Sequence, residues 1–504
     1  MALAKKGWLL LIVLLWCSVG QGQRVINYES GMGARDPHNA DVWILYQHVV
    51  STHEGMVLTA DSAHYNTATN CFTAFVGVKI KLTDSTHIYG DRLYYDGNTR
   101  VLDIWADTVV LIDGGTTLKA NHMTYDRDHA TAYYTRWGHA TSEDRVLDSH
   151  KGQYNSNLKM FYIYDEVRLA DSSMVLVTDT LIYSTESKIA HFDSPTHIYS
   201  DSSTIYSELG NYNTVTRFAE SFRRSHVDNQ GRMIDSDTLY YDELTESGRA
   251  YGHVMIMDSL NEVACTGRYG EMSRRQHYSY VTDSAHVLFV SGGDTLFMHG
   301  DTVYVVTDTA SRLSSISAYF RVKVFRRDAQ GMCDSAFYNA RDSILTLYRA
   351  PVLWYDHYQC TADTIELHHD TSGIKRVYLR SKCFTLQQVD LVKFNQLKGL
   401  QGIVYFKQGQ PLYADILGNA QIVYYLTEDD EFSNPQLIGV NAGVGTDMRI
   451  YFDTSGAVSR VVTYDNPDMQ TYPVDALPED LQRLIGFQWY SVGRPKKPED
   501  VFVW

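Results

Sequence analysis

Proline is scarce in this chain, with 10 among 504 residues, and no apolar run beyond the N-terminal leader is long enough for a membrane-spanning helix. Tyrosine, in contrast, is abundant, with 37 residues, and many Val, Ile and Thr residues accompany it. These residue types favour pleated strands over helices. The composition therefore predicts an all-β protein.

Cysteine is sparse as well. No two of the six cysteines have C-x-x-C spacing, which gives little support for a disulfide scaffold or a zinc site. Cys17 lies in the leader, and the other five are interpreted mainly as small buried apolar residues. A bridge between Cys333 and Cys360, about one repeat apart, is the minor alternative.

Positive charge is outnumbered by negative charge. The chain has 44 Lys and Arg against 60 Asp and Glu, a formal net charge of −16. Contacts to phosphates require a basic surface, and the sequence has no long basic run. Nucleic-acid binding is therefore not expected.

Residues 1–22 have the three-part layout of a secretory signal peptide. Lys5 and Lys6 precede an apolar stretch, and small residues suitable for cleavage follow at Gly20 and Gly22. The apolar stretch is too short to span a bilayer comfortably. We therefore predict export, with an uncleaved anchor as the alternative.

A unit of about 29–30 residues recurs along most of the chain. Its core reads small–Asp–x–apolar–x–Tyr, often followed by Asp or Asn, as in Gly-Asp-Arg-Leu-Tyr-Tyr-Asp at 90–96. Intervals of 30, 30, 29, 29, 29 and 29 residues separate seven of its tyrosines, which are Tyr65, Tyr95, Tyr125, Tyr154, Tyr183, Tyr212 and Tyr241. Beyond Tyr241 the spacing loosens, and beyond residue 385 the repeat fades.

Within a unit the apolar residues alternate with polar ones, as Val76, Val78 and Ile80 do with Gly77 and Lys79. Such alternation predicts strands with one buried and one solvent-facing side. Turn residues separate the strands. A single unit cannot bury its apolar side, so neighbouring units must stack into one continuous β structure.

The repeated acid has two interpretations. It could belong to a row of calcium or sugar ligands, or it could stand at a strand start or tight turn and bind backbone N–H groups. Asn121, His150 and Glu208 replace it in three units, which favours the structural interpretation. No nucleophile, metal-protease or phosphate-loop motif occurs, so we expect no catalytic residues, no metal and no cofactor.

The leader, the repeated Ala/Gly-Asp-x-x-x-Tyr units and the apolar-x-Gly-x-Val strands at 75–80 and 250–256 resemble OstA-like proteins. This family includes LptA-type periplasmic lipopolysaccharide-transport proteins. The resemblance covers roughly residues 40–380. It implies a β-jellyroll, open along one side, that holds acyl chains inside and joins further modules by strand pairing.

The resemblance further implies a periplasmic location, with association with the outer membrane as an option, and a role in lipopolysaccharide transport and outer-membrane assembly. The implied partners are lipopolysaccharide or a related lipid, inner- and outer-membrane transport components bound by β-augmentation, and further copies of the chain end to end. Candidates for the lipid-binding inner face are Val76, Val78, Ile80, Val109, Leu111, Val167, Leu169, Val254, Ile256, Phe320, Val322 and Val324. The alternative is that these residues form a closed, dry core.

The array is about twice as long as one such module. We therefore predict two fused jellyroll segments, 23–222 and 223–395, and a C-terminal β region, 396–504, with a short helix near 478–484. Two other functions stay open. One is a structural or adhesive β-solenoid, and the other is a polysaccharide-processing enzyme on a β-helix.

Overall fold

The computed structural model describes residues 25–291, 294–371, 373–429 and 435–502. The predicted signal peptide lies outside these residues. The chain forms two compact units. Unit 1 comprises the residues up to Ser172 together with Ser184–Glu186, and unit 2 comprises Ser173–Tyr183 and the residues from Ser187 onward. The predicted segment boundaries stay predictions.

Unit 1 consists of antiparallel strands that pair mainly with their neighbours in sequence. Its strands are β1 (Asn27–Glu29), β2 (Met32–Arg35), β3 (Val42–His53), β4 (Met56–Asn66), β5 (Cys71–Lys81), β6 (Thr86–Asp96), β7 (Val101–Asp113), β8 (Thr116–Asp126), β9 (Thr131–Tyr134), β10 (Gly138–Ser142), β11 (Arg145–Ser149), β12 (Lys151–Asn155) and β13 (Met160–Ala170).

Unit 2 continues the same pattern. Its strands are β14 (Met174–Ser184), β15 (Ile189–Phe192), β16 (Thr196–Ser200), β17 (Thr204–Ser207), β18 (Leu209–Asn213), β19 (Phe218–Arg223), β20 (Ser225–Asn229), β21 (Arg232–Ser236), β22 (Thr238–Asp242), β23 (Ser247–Asp258), β24 (Val263–Ser273), β25 (Tyr278–Ser291), β26 (Asp294–Thr307), β27 (Leu313–Phe325), β28 (Gln330–Asn339), β29 (Ile344–Tyr348), β30 (Val352–Tyr355), β31 (Tyr358–Thr361), β32 (Thr364–Asp370), β33 (Gly373–Gln388), β34 (Phe394–Lys407), β35 (Gln410–Asp429), β36 (Pro435–Phe452), β37 (Val458–Tyr464) and β38 (Asp468–Tyr472).

Helical structure is confined to the C-terminal end of the described chain. A helix α1 (Glu479–Gln482) falls within the predicted 478–484, between the 3₁₀ turns Val474–Ala476 and Pro498–Phe502. No helix among the described residues is long and apolar enough to cross a membrane. The predicted all-β fold of stacked antiparallel strands is confirmed.

Three buried glutamines hold the C-terminal segment against the strands of unit 2. Gln396 Oε1 accepts from the Leu484 N–H at 2.9 Å, and Gln359 Oε1 accepts from the Tyr490 N–H at 2.9 Å. Gln330 Oε1 accepts from Arg494 Nη2 at 2.7 Å. Their exposed fractions are 2%, 1% and 7%, so each glutamine satisfies its buried amide oxygen through this segment.

Candidate functional site

Two consecutive residues with positive φ interrupt many of the long strands. In β5 they are Val76, with φ 62°, and Gly77, with φ 65°. The pair lies opposite the single residue Asp91, because Phe75 is the partner of Arg92 and Val78 the partner of Gly90. A bulge of this kind bends the strand. Similar pairs are Gln47–His48, Asp165–Glu166, Gly252–His253, Asp283–Ser284, Phe320–Arg321, Ser381–Lys382 and Gly418–Asn419.

The repeated acid of the motif stands opposite such a bulge. Asp301 of β26 lies opposite Asp283–Ser284 of β25, and it also forms an ion pair of 2.5 Å with Arg321 in the bulge of β27. Asp237 accepts a hydrogen bond of 2.7 Å from Nδ1 of His253 when that nitrogen carries the proton. The structural interpretation of the acid is thus supported, but its expected place at a strand start or tight turn is wrong for Asp61, Asp91 and Asp301, which lie inside their strands.

The tight turn is made instead by the Asp or Asn that follows the tyrosine. Asp96 Oδ1 accepts from the N–H groups of Asn98 at 2.8 Å and Thr99 at 3.4 Å. This side chain therefore substitutes for the backbone acceptor in an Asx turn. The corresponding acceptors are Asn66, Asp126, Asn155, Asn213, Asp242 and Asn339.

The repeat tyrosines lie inside the protein, with at most 3% of any of the seven exposed. Buried tyrosine hydroxyls need partners. Tyr154 donates to Asp113 Oδ2 at 2.7 Å, and the same oxygen accepts from Lys159 Nζ at 2.5 Å. In unit 2, the Tyr241 hydroxyl accepts from Asn229 Nδ2 at 2.8 Å, and burial raises the pKa of Tyr241 to about 12. These contacts give the buried tyrosine hydroxyls hydrogen-bond partners inside the protein.

Residues that are apolar except for Gly331 and Thr385 form a continuous cross-strand row on the inner face of each unit. We call this set the inner row. In unit 1 it consists of Leu58, Ile80, Ile88, Leu111, Leu118, Ala140, Leu147 and Leu169. In unit 2 it consists of Ile198, Ile205, Val227, Ile234, Ile256, Cys265, Val287, Met298, Val324, Gly331, Leu353, Cys360, Thr385, Leu397 and Ile422.

Ten of the twelve predicted inner-face residues are buried, and five of them belong to the inner row. Those five are Ile80, Leu111, Leu169, Ile256 and Val324. The other five lie two residues nearer the bulge, and they are Val78, Val109, Val167, Val254 and Val322. Several of these face small partners, which explains the small residue of the motif. For example, Val78 is the partner of Gly90, where a Cβ atom would approach Ile104 to 2.5 Å.

The inner-face placement of Val76 and Phe320 is wrong. These two side chains are 59% and 53% exposed. Both residues open a positive-φ bulge, with φ 62° and 60°, which turns the side chain outward. Simple alternation assigns them to the inner face because residues 76 and 320 have the same parity as Val78 and Val322. The bulge breaks that rule.

Two apolar cavities lie along the inner row of unit 2. The larger has an empty volume of ≈ 820 Å³, and no charged side chain lines it. Its lining includes Leu353, Cys360, Val377, Leu397, Val404, Phe406, Ile416, Ile422, Val423, Ile450 and Phe452. Leu397, Val404, Phe406 and Phe452 are only half-buried, so this cavity opens to solvent.

The smaller cavity has an empty volume of ≈ 610 Å³ and is apolar in its body and charged at its rim. Phe289, Val324 and Leu367 are among its apolar residues, while Asp294 and Arg326 supply the charges, with 3.7 Å between them. Leu353 lines both cavities. A long apolar ligand with a polar end therefore finds both kinds of surface in unit 2.

Sequence reasoning missed most of the cavity residues. Among the predicted residues, only Val324 lines either of these two cavities. Leu353 is part of Val352–Trp354, where all three residues are buried and no alternation marks the inner side. The signal that could have found them is the apolar alternation at Leu345 and Leu347, which continues the pattern after the tyrosine register loosens.

The cysteines and acids of the described chain form no further site. Cys71, Cys265, Cys333, Cys360 and Cys383 are free thiols, so the Cys333–Cys360 bridge is absent. Within the described ranges no three His, Cys, Asp or Glu side chains cluster closely enough to hold a metal ion.

Comparison with known proteins finds one family model that matches part of the chain. No curated protein matches the sequence. Among solved structures, one similar chain is LptH from Pseudomonas aeruginosa, described as the LptA-homologous periplasmic component of the conserved lipopolysaccharide transport device. The two are 13% identical with a TM-score of 0.21, and the similarity covers 23% of this chain and 81% of LptH. Residues 30–179 and 154–237 match the model of a family described as OstA-like protein.

Proposed function

We propose that this chain is a non-enzymatic lipid carrier of the periplasm, which holds acyl chains along its inner row as part of a bridge that transports lipopolysaccharide or a related lipid to the outer membrane. The observation that carries the proposal is the charge-free pocket lined by the strands that contain Leu397 and Ile422, whose empty space, including its solvent-open part, is ≈ 820 Å³. The OstA-like match over residues 30–237 supports it.

The cavity suits an acyl chain for a simple physical reason. Each methylene group gains about 0.8 kcal/mol when it leaves water for an apolar environment. Half-buried apolar residues such as Phe406 and Phe452 expose surface that a bound chain would cover. The charged rim of the neighbouring cavity, at Asp294 and Arg326, offers partners for a polar headgroup.

Edge strands supply places where further modules could pair. Among the described residues, β1 and β2 pair only with β3 at one end of the chain. At the other end, β37 and β38 pair only with β36. An unpaired strand edge is a template for β-augmentation, which fits a bridge built from several modules.

Site-specific photo-crosslinking in cells tests the proposal. A crosslinking residue at Leu353 or at Ile422 should give a product with lipopolysaccharide, whereas one at Leu412 of the same strand as Ile422 should not, because Leu412 is 45% exposed. Mass spectrometry of the product identifies the lipid. The proposal is wrong if Leu353, Ile422 and Val324 all give no lipid product while the protein is folded and exported.

A further inference from the structure

The outer face of unit 2 carries a run of aromatic side chains that crosses neighbouring strands. Tyr240 of β22 contacts Tyr251 of β23 with ring centroids 6.1 Å apart, and Tyr251 contacts Tyr269 of β24 at 5.0 Å. Beyond them, Tyr280 and Tyr304 are stacked at 4.9 Å. These residues lie on the side opposite the inner row, so the apolar interior does not account for them.

An open groove of ≈ 1890 Å³ lies beside the first of these rings. We call it the aromatic groove. Its aromatic lining consists of Phe218, Tyr240, Tyr251 and Tyr278. Phe218 and Tyr251 are 37% and 43% exposed, so their rings are accessible. Apart from Gly248 and Met272, the remaining lining is polar and consists of Thr238, Asp242, Thr245, Ser247, Arg249, Glu271, Ser273, Arg275 and Gln276.

Strand register explains why these residues lie together. Tyr240, Arg249 and Glu271 are successive cross-strand partners in β22, β23 and β24. Thr238 and Tyr251, which are also cross-strand partners, form the row next to this one. Because side chains two positions apart share one face of a sheet, the rows together form one continuous outer surface.

The charged groups of the aromatic groove differ in whether they have partners within the protein. Glu271 accepts hydrogen bonds from the hydroxyls of Tyr269 and Tyr278, and Asp242 accepts two backbone N–H groups in its Asx turn. Arg249 and Arg275, in contrast, have no ion-pair partner within 4 Å in the described part of the chain, although many of its surface arginines do. Two guanidinium groups are thus available to a ligand.

This combination favours a polyhydroxylated ligand over an apolar or polyanionic one. The face of a tyrosine ring is electron-rich, and it attracts the C–H groups of a sugar ring, which their neighbouring hydroxyls polarise. The surrounding arginine, glutamine and hydroxyl side chains can bond the sugar hydroxyls, whereas an acyl chain would leave them without partners. Two free arginines in a chain of net charge −16 are too few for a nucleic acid.

We propose that the aromatic groove binds a glycan chain, with sugar rings stacked on Tyr251 and Phe218 and hydroxyl or acidic groups bound by Arg249 and Arg275. The site lies on the outer face of the sheet and is separate from the inner row. Glycan binding at this site therefore does not depend on whether the inner row carries a lipid.

Affinity electrophoresis of the folded chain tests this site. Native gels containing laminarin, dextran or alginate provide two neutral glycans and one acidic glycan as probes. Tyr251→Ala should weaken the retardation by about tenfold in Kd, because both the ring stacking and the area that the ring covers are lost. Tyr304→Ala is the matched control, since Tyr304 is 38% exposed and lies outside the groove. Arg249→Gln should weaken the binding of alginate more than that of the neutral glycans if the bound sugars are acidic.

The gel and sedimentation results distinguish glycan binding at the aromatic groove from no binding and from self-association. Retardation by any of the three glycans that is lost in Tyr251→Ala and kept in Tyr304→Ala supports the proposal. An absence of retardation by all three, or equal retardation of both variants and the wild type, overturns it. Self-association in sedimentation experiments that disappears in Tyr251→Ala also overturns it, because the occupant is then a second copy of the chain. Circular dichroism confirms that each variant is folded.

Discussion

At the scale of single residues, each repeat combines two side chains with separate tasks. The tyrosine is buried and sends its hydroxyl to a strand end, as Tyr154 does to Asp113, which lies 41 residues earlier in the chain. The Asp or Asn after it forms the turn, as Asp96 does. The tyrosine thus packs in the interior, and the Asp or Asn stabilises the turn of the hairpin.

Tyr154→Phe tests the buried hydroxyl. The change leaves Asp113, which is 3% exposed, with one fewer donor. Because a hydrogen bond to a charged group contributes about 1.5–3 kcal/mol, the free energy of unfolding should fall by that amount in urea titrations. Tyr133→Phe is the control, because Tyr133 is 39% exposed and its change should stay within about 0.5 kcal/mol. Equal effects of the two changes would contradict this role.

The cysteines give a prediction about pH. Burial raises the pKa of Cys265, Cys333 and Cys383 to about 12 and that of Cys360 to about 11, so these four thiols stay protonated at pH 8. In the chain without residues 1–22, iodoacetamide should modify only the half-buried Cys71 at pH 8, and all five thiols in urea. Mass spectrometry counts the modified thiols, and Cys71→Ser should abolish native labelling.

The raised pKa of the buried thiols also makes the stability of the folded state depend on pH. A thiol whose folded pKa is raised favours the folded state fully at a pH below its unfolded pKa of about 8.5. This contribution is lost as the pH rises from there towards the folded values of 11 to 12. Unfolding at pH 10 should therefore be easier than at pH 7, and replacing the four buried cysteines by alanine should reduce that difference.

At the scale of the strand, the two-residue bulge is the element that shapes the fold. In β27, Ile316 and Ala318 are buried before the bulge and Val322 and Val324 after it, while Phe320 turns outward. The strand therefore bends without losing its apolar side. The small–Asp pair of the neighbouring strand fits this bend, because the small residue leaves room inside and the acid lies opposite the extra residue.

Val76→Gly should increase stability although it removes an apolar side chain. A residue with a β-carbon in the left-handed region costs about 1–2 kcal/mol, and glycine costs about 0.5–1 kcal/mol in backbone entropy. Since Val76 is 59% exposed, the net gain should be up to about 1 kcal/mol in urea unfolding. Val78→Gly, two residues later and 1% exposed, should instead lose about 3 kcal/mol or more. A clear loss in Val76→Gly would show that the side chain packs inward.

At the scale of the whole molecule, the C-terminal segment of unit 2 packs on strands that lie far away in sequence. Arg494 contacts Gln330 across 164 residues, and Tyr490 contacts Gln359 across 131. Leu477 and Leu484 of this segment join a buried cluster with Phe384. The segment therefore packs against strands that also line the two cavities.

Arg494→Ala should loosen this segment. Arg494 donates two hydrogen bonds to Gln330 Oε1, at 2.9 and 2.7 Å, and one to the Asp356 carbonyl at 2.9 Å. Loss of hydrogen bonds from a charged group to buried partners should cost about 1.5–3 kcal/mol and increase hydrogen exchange at residues 484–502. Arg312→Ala, which breaks an exposed ion pair, should change stability by less than about 1 kcal/mol. Unchanged exchange in Arg494→Ala would show that other contacts hold the segment.

Much of the repeat architecture could be predicted from the sequence, because tyrosine spacing and alternation are local patterns. Ten of the twelve inner-face residues follow from alternation alone. The predictions for Val76 and Phe320 are wrong because an apolar side chain gives no indication that its residue has a positive φ. Similarly, Gly152 and Gly210 replace the apolar residue of the motif because Tyr134 and Phe192 fill that space from other strands.

The sequence by itself determined the strand content, the tyrosine register and the apolar side of most strands, because each depends on residues close together in the chain. Only the tertiary structure decided the bends, the acid opposite each bulge, the cavities of unit 2 and the aromatic groove. These features depend on which residues become cross-strand neighbours and on space left unfilled between them. Local pattern cannot supply that information.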